Sequence, residues 1–256
     1  HRPIMLPLNA RGVGYTRATR VSLPASVPEY LCRVLDFRSM DFEATLDQML
    51  TLASSDPGRV YKTNFYRKQM KNQWARDDPA FAVAQVLLLS VVAVAYALAF
   101  RVDSLSGYLS LILYCVVVDW FLFGCVVATI GWFVANKYLL QSHSHSVAQK
   151  VEWLYAFDIH CNAFFPLFLL VHVLQFFLLP ILLLKVYPSM ILSNLLYAAA
   201  FSVYFYITHL GYRALPFLTK TEVYLYPIGV VALAFVLSLF IAPLGVRINA
   251  TRYCLY

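Results

Sequence analysis

The sequence predicts an all-α membrane protein with five transmembrane helices and an amphipathic helical segment at the amino-terminal end. Three observations predict it. Of 256 residues 61% are hydrophobic and 13% charged, with a mean hydropathy of +0.67, whereas a soluble domain carries about a quarter charged residues. Ala80 to Phe100 runs for 21 residues without a charged side chain, enough for a bilayer crossing that needs about 20. Four more apolar stretches follow, Leu105 to Ala135, Asn162 to Leu184, Met190 to Leu210 and Val223 to Val246. None alternates in the ten-residue manner of a transmembrane barrel, so all five read as helices.

Residues 1–38 hold Pro3, Pro7, Pro24 and Pro28 among scattered arginines, a composition expected of a mobile lead-in. Residues 39–79 are expected to form amphipathic or interfacial helices on the cytosolic side. Phe42, Leu46, Met49, Leu50 and Ala53 recur at helical spacing, with Asp41 placed to cap the helix and Asp56-Pro57-Gly58 to mark its end. Tyr66, Met70 and Trp74 then form a stripe at four-residue steps beside Arg67, Lys68 and Lys71. Tyr66, Arg67, Lys68, Met70 and Lys71 are therefore expected at the membrane surface, where each basic residue near an anionic leaflet adds about 1 kcal/mol. Asp78 and Pro79 fit a helix cap and a first-turn proline for span one. Trp74, Arg76 and Asp77 are not needed for that cap and are the candidate partner-binding residues.

Residues before span one hold no apolar core of the kind a secretory leader needs, so span one is expected to act as the targeting signal. Five spans place the termini on opposite sides. Residues 1 to 79 and the loops after spans two and four carry 16 of the 20 Lys and Arg. That asymmetry predicts a cytosolic amino terminus and a lumenal tail over residues 247–256. Cys32, Cys115, Cys125, Cys161 and Cys254 lie too far apart in this topology to imply a disulfide. No CxxC pair exists, and His143 with His145 reads as a solvated loop pair, so neither a metal nor a cofactor is expected.

Asp119, His172 and Gln175 are expected near the midplane, where a charge is costly unless paired or protonated. One reading is a proton or ion relay, or an intramembrane catalytic core. The other is interhelical hydrogen bonding, at about 0.6 kcal/mol per bond. Gly124, Ala128, Gly131 and Ala135 form a small-residue stripe on the opposite side of span two from Asp119, which makes span two the expected central helix. Asn194, Ala198, Phe201, Phe205 and Thr208 make a seam on span four. Enzyme motifs such as GxSxG, HExxH or a phosphate loop are absent from the sequence, and no catalysis is expected. Asp158 and His160 lie too far apart round a helix to converge on one metal. Asn162 with Pro166 reads as the entry to span three, and Asn249-Ala250-Thr251 fits a glycosylation sequon close to the membrane end.

Five separated segments carry a family resemblance. They are Met40-Asp41-Phe42-Glu43; Tyr66-Arg67-Lys68-Gln69 with Gln73 to Phe81; Asn136-Lys137-Tyr138-Leu139; Glu152-Trp153 with Tyr155 to Asp158; and Leu210-Gly211-Tyr212 with Ala214 to Leu218. In this order they resemble the Unc-fifty family of Golgi membrane proteins. The resemblance implies a five-span Golgi or early secretory protein with a cytosolic amino terminus. It also implies association with exchange factors for Arf-type GTPases and a role in delivering membrane receptors to the cell surface. It transfers no catalytic residues. Two other functions remain open: the relay through Asp119, His172 and Gln175, and RNA binding by a tail whose basic residues are diluted by Asp and Glu.

Overall fold

A polar residue inside an apolar stretch ends a span only if it must reach water, and most of those in this chain find partners within the protein. The computed structural model describes residues 40–62, 68–70, 72–76, 78–141, 149–241 and 249–255. Helix α1 (Phe42–Leu52) begins where Asp41 Oδ1 accepts the Ala44 N–H at 2.9 Å. A 3-10 turn at Pro57–Tyr61 follows. Five helices are long and apolar enough to cross a membrane: α2 (Ala80–Ala99), α3 (Leu105–Leu139), α4 (Trp153–Leu182), α5 (Tyr187–Arg213), and α6 (Tyr226–Ile241), which is entered through a 3-10 turn at Thr221–Leu225. Helix α7 (Ala250–Leu255) closes the described chain.

Span three begins at Trp153 rather than at Asn162, nine residues earlier than the hydropathy suggests. Asp158, His160 and Asn162 cause the difference, because each is bonded to another element of the protein. Pro166 consequently lies deep inside α4, not in its entry turn. Spans two and four also run further than expected, to Leu139 and from Tyr187 to Arg213. The expected end of span five at Val246, like residues 1–39, lies outside the described residues.

Helix α4 is the centre of the bundle, and span two is not. Thirteen of the 16 residues from Trp153 to Phe168 are buried, while α3 leaves Val117, Phe121, Val126, Ile130 and Phe133 exposed. The small-residue stripe explains why α3 still packs closely. A Cβ at Gly124 would overlap the His160 imidazole, and one at Gly131 would overlap the Tyr212 hydroxyl.

Hydrogen bonds set the register. Gln85 Nε2 donates to the Cys161 carbonyl at 2.6 Å, and Tyr96 Oη donates to the His172 carbonyl at 3.2 Å. Helices α2 and α4 thus run parallel at a constant offset of 76 residues. Tyr155 Oη donates to the Gly211 carbonyl at 2.8 Å and His160 Nδ1 meets Tyr204 Oη at 2.8 Å, which fixes α5 antiparallel to α4. We call the end of the bundle that carries α1 proximal and the other distal. At the distal end the sequon residues are structural: Asn249 Nδ2 donates to the Leu182 carbonyl at 2.9 Å, and the Thr251 hydroxyl pairs with Ser193 at 2.8 Å.

Candidate functional site at the proximal end

Among its described residues the segment before α2 has no regular structure after Asn72, whose φ of 54° breaks the helical path. Its backbone groups therefore need partners from elsewhere. Lys68 Nζ donates to the Asn72 carbonyl at 2.9 Å and sits 5.7 Å from the centre of the Trp74 ring. The Trp74 and Ala75 N–H groups both donate to the Glu152 carboxylate, at 3.1 to 3.2 Å. Trp74 itself is 2% exposed, with its ring 5.7 Å from that of Phe217.

Arg76 makes the deepest attachment. Its Nε lies 3.6 Å from an Asp158 oxygen, both side chains being mostly buried, and its Nη1 donates to Gln48 Oε1. Gln48 in turn donates from Nε2 to Asn162 Oδ1. One residue of α1 thereby links the pre-span segment to α4. Asp78 closes the cluster by accepting the Ala80 N–H at 2.9 Å and the Asp41 N–H at 3.0 Å. Pro79 is the residue at the cap of α2 rather than in its first turn, and Asp78 stands one residue before it, where its carboxylate holds the starts of both α2 and α1. Tyr61 is buried against the same group, and burial first, then the nearby Asp158 charge, pushes its hydroxyl pKa up.

The two loops at this end are tied in as well. Asn136 exchanges side-chain bonds with the Val151 backbone at 2.9 and 3.0 Å. The Gln141 N–H donates to the Phe217 carbonyl and the Thr219 N–H to the Leu139 carbonyl, each at 2.9 Å. Lys137, Lys150, Arg213 and Lys220 stand exposed around them. A cavity of about 20 Å³, lined by Arg76, Asp78, Phe81, Leu154, Phe157 and Asp158 among others, holds room for one water rather than a small molecule. Among the described residues no three His, Cys, Asp or Glu side chains converge as metal ligands.

Several sequence expectations change in three dimensions. The helical stripe through Tyr66, Met70 and Trp74 does not continue to Trp74, because the described helical turn at 68–70 is followed by the left-handed Asn72. Met70 is 85% exposed and Lys68 half-buried, while Tyr66, Arg67, Lys71 and Asp77 lie outside the described residues. Asp119, His172 and Gln175 are not brought together. Trp120, next to Asp119, donates from Nε1 to Gln85 Oε1 at 2.8 Å, level with Cys161. His172 is eleven residues further along α4, about 16 Å along the axis at 1.5 Å per residue, with its ring stacked on Phe168. Gln175 is buried near the Tyr96 and Tyr197 hydroxyls. Gln48, Tyr61, Glu152 and Asn162 are the cluster members that sequence reasoning missed. The available signal was weak: a glutamine in an otherwise apolar-striped helix, and one acidic residue, Glu152, inside a resembling segment.

A profile of the UNC-50 family matches residues 30–254. The chain belongs to the UNC-50 family. It is 47% identical to a Dictyostelium discoideum protein unc-50 homolog over 242 residues, covering 91% of this chain and 92% of that one. It is 41% identical to the Homo sapiens homolog over 223 residues, covering 87% and 85%, and 42% identical to Caenorhabditis elegans protein unc-50 over 228 residues, covering 89% and 74%. No solved structure matches the chain. The five segments on which the UNC-50 resemblance rests, spread from residue 40 to residue 218, all enter the proximal cluster or the loops bonded beside it.

Proposed function

We propose that the proximal end faces the cytosol in the Golgi or early secretory membrane and acts as a docking platform for an exchange factor of Arf-type GTPases, in support of receptor delivery to the cell surface. One observation carries the reading: segments from the pre-span region and both proximal loops are fastened into a single surface rimmed by Lys137, Lys150, Arg213 and Lys220. The basic rim agrees with a cytosolic orientation under the positive-inside rule. The reading is not catalytic. In it, Trp74 and Arg76 shape the platform from within, and Asp77 remains a proposed contact to the partner.

Proximity labelling from the amino terminus in cells tests this directly. Arf exchange factors are expected to dominate the labelled proteins, and their labelling should fall several-fold when Trp74 is replaced by alanine while the chain stays in the membrane. A labelled set without exchange factors would overturn the proposal. The alternative relay has less to carry it, because among the described residues no hydrogen bond or ion pair joins Asp119 to His172 or Gln175.

A further inference from the structure

Helix α1 turns its polar side inward. Thr45, Gln48 and Leu52 are buried, whereas Phe42, Leu46 and Leu50 are 50%, 58% and 64% exposed. At about 100° per residue, Phe42, Leu46 and Leu50 form one stripe, and Glu43 and Asp47 form a second, exposed one beside it. The helix therefore has three flanks: one bonded to the bundle, one apolar and one acidic. An apolar stripe left open on a helix that is otherwise anchored by hydrogen bonds needs a partner of its own.

The level of α1 identifies that partner. Its first residue is tied by the Asp41 N–H to Asp78, which starts the first span. Gln48 bonds Asn162, and the 76-residue offset between α2 and α4 puts Asn162 level with residue 86. Asn162 thus lies about 9 Å inside the span, while Arg76, the other partner of Gln48, precedes it, so α1 sits between these levels, within the depth at which interfacial helices are seated. The neighbouring exposed residues of α2 at this level are Leu87, Leu88 and Val91, a membrane-facing surface. The stripe is apolar and exposed in the same way. A soluble protein would have to enter the leaflet to cover these side chains.

We propose that α1 is seated in the proximal leaflet, with Phe42, Leu46 and Leu50 inserted among the lipid chains and Glu43 and Asp47 turned to water. Between Asp41 and Leu52 there is no Lys or Arg, so the attachment is apolar insertion and not attraction to anionic headgroups. Lipid packing around α1 thereby reaches the proximal cluster through Gln48. This inference does not depend on which partner the platform binds.

The test uses the full chain reconstituted in phosphatidylcholine vesicles, with p-benzoylphenylalanine placed at Leu46, at Asp47 or, as a membrane-facing reference, at Leu87. Mass spectrometry reads the adducts after irradiation. Position 46 should give acyl-chain adducts within about two-fold of position 87, with position 47 at least about five-fold lower, and added salt or anionic lipid should leave the ratio unchanged. A yield at 46 no higher than at 47 would overturn the proposal. So would adducts from 46 to protein, either within this chain or, in cell membranes, to a second polypeptide.

Discussion

The Arg76 guanidinium lies 3.6 Å from the Asp158 carboxylate, joining a segment that precedes the first span to the second turn of the third. Because the side chains are only 19% and 15% exposed, removing one partner leaves a poorly solvated charge. Arg76→Ala is expected to cost about 2 to 3 kcal/mol, below the 3 to 5 typical of a fully buried pair. Combining Arg76→Gln with Asp158→Asn should recover about 1 to 2 kcal/mol relative to the summed single changes. Thermal unfolding of the detergent-purified protein measures both, and strict additivity would show that the pair does not couple.

Tyr61 gives the proximal end an alkaline limit. Burial and the Asp158 charge raise its pKa, so above about pH 10 the folded chain holds a proton that the unfolded chain has lost. Its stabilising contribution is complete below that pH and is lost as pH rises through the folded value, at about 1.4 kcal/mol per unit. Tyr61→Phe should flatten this part of the unfolding profile. An unchanged slope between pH 10 and 11.5 would contradict the assignment.

Two glycines should respond in opposite ways to the same substitution. Gly131→Ala drives a methyl into the Tyr212 hydroxyl, and overpacking of this kind costs about 1 to 3 kcal/mol. Gly229→Ala meets nothing within 4 Å and should leave stability unchanged or raise it by about 0.5 to 1 kcal/mol through helix propensity. No loss at Gly131 in denaturation assays would mean that the α3 to α5 contact is not that close.

At the distal end, Asn249 fills a sequon but has its side-chain amide buried on the Leu182 carbonyl. Endoglycosidase treatment should produce no mobility shift. Asn249→Ala should instead lower stability by about 0.5 to 2 kcal/mol, because it removes the side-chain cap on the Arg252 N–H and one of the two bonds to the Leu182 carbonyl, which keeps the one from Ser189. A glycan on Asn249 would show that this end opens.

The five spans were legible because apolar length is a local property: a run without charge crosses the bilayer whatever surrounds it. The start of α1 was legible for the same reason, since Asp41 caps its own helix three residues on. The depth of Asp119 and His172 was not. Counting from the middle of each apolar run put them in one layer, whereas register is set by contacts such as Gln85 with Trp120 and Cys161.

By itself the amino-acid sequence determined an all-helical, five-span chain with its basic residues gathered toward one end, and its segment order pointed to the family. Only the tertiary structure decided that Trp74 is buried, that α1 presents its apolar stripe outward, and that Asp158, His160 and Asn162 belong inside the membrane helix. The physical reason is common to all three. A hydrophobic run has the same free energy of transfer wherever it sits, but a polar group is costly or harmless according to whether a partner reaches it, and those partners lie up to 114 residues away in the chain.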